Sequence, residues 1–251
     1  ETFPLTAEND FLPDLDAIPE ETARRAKFIY INYPNNPTGA VATKAFYEKL
    51  VAWAKTYEVG VVSDLAYGAL GYQDYENPSF LSTPGAKDVG IEFYTFSKTF
   101  NMAGWRLAFA AGNEQMIEAL NLIQDHLFVG IFPALQEAGI AALLDPKSEE
   151  AVAQLNATYD SRRDAFVQAA AKIGWQAFPS RGSFYAWMPV PEGYTSESFA
   201  DLLLEKAHVA VAPGKGFGPA GNAYVRIGLL VEPERLVEAV NRIANLHLFN
   251  N

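Results

Sequence analysis

The sequence predicts an α/β fold, a mostly parallel central sheet flanked by helices with a smaller C-terminal α/β domain, on three observations. Short apolar, β-rich runs alternate with helix-patterned segments over the first half, as the crossovers of a parallel sheet require. The runs Phe28 to Ile31, Val59 to Val62 and Ile91 to Phe96 each end at once in polar, chemistry-bearing residues. A long helical pattern from Glu149 to about Ile173 then separates this half from a second, shorter alternation.

Taken in order, the first run leads into N-Y-P-N-N-P-T-G (Asn32 to Gly39), a turn whose prolines fix φ and whose asparagines present amides. Thr43 is placed to cap the first long helix, where Phe46, Leu50, Trp53, Ala54 and Tyr57 form one apolar stripe for the sheet. Strands follow at Val59 to Ser63, Ile91 to Phe96 and Leu107 to Ala111, then helices near Glu114 to Asp125 and Ala134 to Leu144, with Asp145-Pro146 as a break. Gly174 stops the long helix. Beyond it the pattern predicts strands at Trp175 to Phe178, Ser183 to Met188, His208 to Ala212 and Ala223 to Leu229. Helices are expected over Ser196 to Ala207 and after Glu232-Pro233. The domain joint falls at the long helix, with residues 1–148 as the larger unit and 149–251 as the linking helix and small domain.

Composition excludes more than it identifies. A chain of 251 residues, 49% of them hydrophobic, can bury a sizeable core. Its net charge of −11, with no basic run beyond Arg24-Arg25 and Arg162-Arg163, argues against nucleic acid or an anionic membrane as a partner. Both pairs read as helix surface. With no cysteine and with His126, His208 and His247 scattered, no metal is expected. The lack of a secretory signal or a bilayer-length apolar stretch favours a cytoplasmic location. Two motifs are decoys. Asn156-Ala157-Thr158 fits a glycosylation pattern but lies in a helical segment. Gly216, Gly218 and Gly221 satisfy G-x-G-x-x-G, yet a strand-like segment follows where a dinucleotide site needs a helix.

The chemistry concentrates in T-F-S-K-T-F-N-M-A-G-W-R, Thr95 to Arg106. Desolvation at a strand end frees an amine such as that of Lys98 for Schiff-base chemistry, and Thr95, Ser97, Thr99 and Arg106 are suited to holding a phosphate. Asp64, at the end of the second run with Tyr67 three residues on, supplies a carboxylate that needs a cation if buried. An isolated lysine of this kind usually snorkels to solvent, so the weight lies in the combination, which suggests pyridoxal phosphate.

With N-N-P-T-G, D-L-A-Y, S-K-T-F-N-M-A-G-W-R, P-G-K-G-F-G (213–218) and Y-V-R-I-G-L (224–229) in this order, the chain resembles the fold-type I, class I/II pyridoxal-phosphate aminotransferases over essentially its whole length. The resemblance implies a ping-pong transamination in which Lys98 forms the aldimine with the cofactor and shuttles the proton at the substrate α-carbon. It implies that Asp64 pairs with the pyridine nitrogen, and that Asn36 and Tyr67 hydrogen-bond the ring's phenolic oxygen. Thr95, Ser97 and Arg106 are implied to hold the phosphate, with threonine at 95 where many relatives carry serine. Arg226, with Asn36 in reach, is implied to clamp the substrate α-carboxylate. A homodimer is implied too, its partner approaching near His126 to Pro133.

D-H-L-F-V-G-I-F and G-S-F-Y-A-W-M-P-V-P are similar to a subgroup acting on methionine-derived and other neutral or dicarboxylic amino acids, which points to a methionine-derived oxo acid and leaves aspartate, alanine, aromatic and N-acetyl-diaminopimelate specificity open. Phe184, Tyr185 and Trp187 read as core packing, with Phe184 or Tyr185 as the alternative pocket lining. Two other functions share the pattern: a pyridoxal-phosphate-dependent carbon-sulfur β-lyase, and a non-catalytic effector domain of a regulator. Relatives place an N-terminal arm, a phosphate-binding helix terminus and a ring-stacking aromatic ahead of N-N-P-T-G. None is found before Asn32, so the sequence is expected to be the C-terminal portion of a longer enzyme, inactive alone.

Overall fold

In the computed structural model, which describes residues 1–73 and 75–249, β1 (Phe28–Asn32), β2 (Gly60–Asp64) and β3 (Gly90–Thr95) run parallel, and β4 (Ala108–Gly112) joins β3 antiparallel. The sheet order is β1-β2-β3-β4. Register sets Asn32 opposite Asp64 and Asp64 opposite Phe93, so the polar strand ends fall along one edge of the sheet. After α1 (Glu20–Arg25), the crossover helix α2 (Lys44–Tyr57) begins where expected, with Thr43 Oγ1 accepting from the Phe46 N–H at 3.1 Å. Its buried stripe of Phe46, Leu50 and Ala54 packs on Ile29, Ile31 and Val61, each large apolar side chain contributing roughly 1.5–3 kcal/mol. Phe28 and Tyr30, alternating outward on β1, leave the other face of the sheet exposed at this end strand, whereas Ile91 on β3 is buried.

Short helices α3 (Ala86–Val89) and α4 (Phe96–Thr99) bracket β3, and α5 (Glu114–Leu127) and α6 (Pro133–Leu144) follow β4. The long helix α7 (Ser148–Lys172) joins two cores. Near its start, Asn156 Nδ2 donates to the Ala69 carbonyl at 2.9 Å and Tyr159 packs with Tyr67 and Phe184. Toward its end, Phe166, Ala169 and Ala170 enter the second core. This crossing corrects the surface reading of Arg162-Arg163: Arg163 is buried, pairs with Asp160 and Asp164, and lies on the Tyr72 ring. Gly174, at φ 82°, ends the run as expected.

The second sheet is antiparallel, β5 (Tyr185–Pro189), β7 (Tyr224–Gly228) and β6 (Ala212–Pro213) in that spatial order. Helix α8 (Ser196–Leu202), which continues as a π-helical turn to Ala207, and α9 (Pro233–Ala244) cover it. Two expected strands are corrected. At Trp175 to Phe178 the Trp175 N–H caps α7 at the Ala170 carbonyl and its indole N–H binds the Pro189 carbonyl, so only the Phe178 N–H, donating to the Trp187 carbonyl of β5 at 3.2 Å, reaches the sheet and no ladder forms. At His208 to Ala212 only Ala212 pairs, because His208 is left-handed at φ 55° and the Val209 N–H is spent on the Leu203 carbonyl of the preceding helical turn. The glycine-rich stretch forms short 3-10 turns leading into β7, with no helix of the dinucleotide type.

Candidate active site

The site begins at the strand edge. The Asp64 carboxylate accepts the Tyr30 hydroxyl at 2.5 Å on one oxygen and the Ala66 N–H at 3.1 Å on the other. Asn32 ties it to the turn, donating Nδ2 to the Asp64 carbonyl at 2.9 Å while its Oδ1 accepts from the Asn36 N–H at 2.9 Å. Within the turn the Asn35 side chain accepts from the backbone and hydroxyl of Thr38, which fixes the loop that carries Asn36. Gly39 closes it at φ 70°, where a Cβ would come within 2.1 Å of Ser180 Oγ. Among the described residues the partners of Asp64 are all neutral donors.

Lys98 does not sit on the strand itself. Thr95 Oγ1 accepts from the Ser97 N–H at 3.2 Å, which ends β3 and starts the single turn α4 on which Lys98 lies. The Lys98 Nζ stands 5.6 Å from the Phe184 ring centroid and 6.0 Å from that of Tyr67, two rings packed edge to face. Thr95 and Ser97 bond each other at 2.9 Å, and Thr95 also reaches the Leu107 carbonyl at 3.3 Å. Arg106, the residue before Leu107, is exposed and left-handed, and its Nη1 donates to the Ala103 carbonyl rather than to either hydroxyl. Thr99, expected beside a phosphate, is instead buried and accepts the Tyr94 hydroxyl.

On the small sheet, Arg226 lies opposite Trp187 and reaches across to the turn, donating Nη1 to Asn36 Oδ1 at 2.7 Å. Neither Lys98 nor Arg226 has a carboxylate partner among the described residues. Burial, reinforced by the Tyr185 hydroxyl and the Asp64 carboxylate, pushes the Tyr67 phenol well above its ordinary value against a lowering pull from Arg226. Beside Asn36 opens a cavity of about 500 Å³, lined by Phe3, Leu5, Pro37 and Trp187 among others and by no acidic or basic side chain.

Sequence reasoning missed Tyr30, Asn32 and Phe217, and read Phe184 and Tyr185 chiefly as core. A period-two reading of β1 would have found the first pair, since Tyr30 and Asn32 point to the same side of the strand.

The sequence matches the family described as aminotransferase class I and II over residues 1–243. It is 56% identical, over 99% of its length, to the L-glutamine--4-(methylsulfanyl)-2-oxobutanoate aminotransferase of Bacillus subtilis, covering 62% of that protein. To the LL-diaminopimelate aminotransferase of Moorella thermoacetica it is 50% identical over 96% of its length, covering 61% of that protein. A solved aminotransferase structure from Staphylococcus aureus aligns with a TM-score of 0.93 at 40% identity, over 99% of this chain and 66% of that one. The chain thus spans a little under two thirds of the length of these proteins.

Proposed function

The chain belongs to the class I and II aminotransferases, and from that premise we propose that it forms part of a pyridoxal-phosphate-dependent enzyme moving an amino group between an amino acid and a 2-oxo acid. The observation that carries this reading is that two cations, Lys98 and Arg226, meet one aromatic wall of Tyr67, Phe184 and Tyr185 with no carboxylate against either among the described residues. Cations gathered without counter-charge mark a place where a ligand supplies the anion.

The residues suit the cofactor. Lys98 offers an amine to its aldehyde, Asp64 a carboxylate held among the described residues only by neutral donors, and Thr95 and Ser97 a pair of bonded hydroxyls, with Arg106 adjoining in sequence the Leu107 whose carbonyl Thr95 meets. The chemistry that pyridoxal 5′-phosphate supplies when bound is an electron-withdrawing ring that keeps the amino group between the two halves of a ping-pong exchange. Lys98 holds the cofactor and moves the proton at the substrate α-carbon. Asp64 keeps the ring nitrogen protonated through its opposite charge. Asn36 and Tyr67 donate to the phenolic oxygen, and Thr95, Ser97 and Arg106 bind the phosphate, for which a planar guanidinium is well shaped. Arg226 and Asn36 bind the substrate α-carboxylate and so orient the α-carbon toward Lys98.

For the substrate, the reading extends to a methionine-derived oxo acid such as 4-(methylsulfanyl)-2-oxobutanoate. The relative named for that compound supports it. In the same reading residues 1–148 form the cofactor-binding unit and 149–251 the linking helix and small domain. The protein is cytoplasmic and works as a homodimer that uses the segment between His126 and Pro133, where Leu127, Phe128, Val129 and Phe132 stand exposed.

The test is to incubate the chain with pyridoxal 5′-phosphate, reduce with borohydride and map the added mass by peptide mass spectrometry. A label on Lys98 alone supports the reading, and scattered or absent label counts against it. A panel of amino donors and oxo acids, scored by kcat/KM, is expected to rank methionine above diaminopimelate, and the reverse order would overturn the substrate assignment.

A further inference from the structure

Arg226 meets aromatic rings from two separate parts of the chain. Its guanidinium carbon stands 4.2 Å from the ring centroid of Tyr185, on β5, and 4.7 Å from that of Phe217, at the end of the turn Gly214–Phe217. The rings belong to different packed groups. Tyr185 meets Phe184 at 4.8 Å and Tyr67 at 6.0 Å, whereas Phe217 meets Trp187 at 6.0 Å. With Nη1 held by Asn36, the guanidinium is bounded by two rings and an amide, and among the described residues its other donors have no side-chain partner.

Tyr185 has a second relation. The rings it packs against, Tyr67 and Phe184, are those over which the Lys98 amine stands. One ring therefore touches both the arginine and the wall beneath the lysine. A flexible arginine loses rotamer freedom when it grips a carboxylate with two parallel hydrogen bonds, and flat rings against its planar group remove that freedom beforehand. The attraction between a guanidinium and a ring face supplies the holding force.

We propose that Tyr185 and Phe217 are positioning residues: together they form an aromatic slot that fixes the Arg226 guanidinium, and Tyr185, through Tyr67 and Phe184, sets its spacing from the Lys98 amine. The inference rests on the reading of Arg226 as the carboxylate clamp and Lys98 as the proton carrier. It requires flat rings rather than mere apolar volume. Phe217→Leu and Tyr185→Leu keep a large apolar side chain and lose the ring, and Phe217→Tyr and Tyr185→Phe keep the ring.

The experiment measures kcat and KM for L-methionine on the full chain loaded with pyridoxal 5′-phosphate, with each variant checked for wild-type circular dichroism. Phe217→Leu is expected to raise KM about tenfold with kcat within about twofold, because the lost contact serves ground and transition states alike. Tyr185→Leu is expected to raise KM and also lower kcat about tenfold, because the spacing to Lys98 loosens with it. The ring-preserving variants restore both constants to within about threefold of wild type. A nitrogen-edited NMR spectrum gives a readout independent of turnover: the Arg226 Nε–H exchanges slowly with water in wild type and in the ring-preserving variants, and rapidly in the leucine variants. Leucine variants with wild-type constants and an unchanged Arg226 signal would overturn the proposal. If the chain alone turns over no amino donor, as expected of part of a longer enzyme, the kinetic constants do not bear on the slot, and the functional reading stands or falls on whether borohydride fixes the cofactor to Lys98. The NMR comparison then decides the slot alone, an unchanged signal in the leucine variants overturning it.

Discussion

Tyr67 shows what burial does to a single group here, and it is not alone. The phenols of Tyr33, Tyr47 and Tyr72 are likewise pushed above their ordinary value of 10.0, each chiefly by burial. Since the folded-state values lie above the unfolded ones, their contribution to stability is intact below about pH 10 and is lost as pH rises further, where the unfolded chain sheds protons first. The urea midpoint should therefore hold steady between about pH 7 and 9 and fall above about pH 10, and a midpoint unchanged at higher pH would contradict the burial. Residues inside local words, such as Asp64, Lys98 and Asn36, were legible because the chemistry and the spacing sit together. Tyr30 and Phe217 were not, since Tyr30 acquires its role from a residue 34 positions away and Phe217 from the pairing of β7.

Among the elements, the turn from Asn32 to Gly39 is the most tightly determined. Gly39 is left-handed at φ 70°, and a side chain there would strike Ser180 Oγ and its Cβ, at 2.1 and 2.7 Å. Gly39→Ala is expected to cost about 2–5 kcal/mol, the sum of left-handed strain and overpacking. Adding Ser180→Gly should relieve the clash but leave the φ strain, so denaturant unfolding of the double variant should recover part of the loss; a single variant as stable as wild type would refute the account. Helix α2 was readable from Thr43 and its stripe because cap and periodicity are local. Trp175 to Phe178 was not, because a β-rich composition cannot reveal that the donor of Trp175 is spent on the end of α7.

At the scale of the molecule, the α/β class and the two cores followed from alternation and from the long helix between Ser148 and Lys172. The reversal of β4 did not, since its pairing with β3 depends on the path of the Thr95 to Leu107 connection rather than on composition. The exposed band of Leu127, Phe128, Val129 and Phe132 belongs to this scale too, with Val129 at 87% exposure. Sedimentation velocity over a concentration series should show a reversible dimer, weakened by Phe128→Asp with Val129→Asp, and a persistent monomer at high concentration would argue against that use of the band. The exposed end strand of the first sheet carries a different consequence. β1 ends the strand order, so among the described residues one side of its backbone has no ladder partner, while Phe28 and Tyr30 stand above it at 60% and 62% exposure. Such a border is a template for further strands. The chain should bind amyloid-sensing and apolar dyes, and on gentle heating it should cloud through growth from this border.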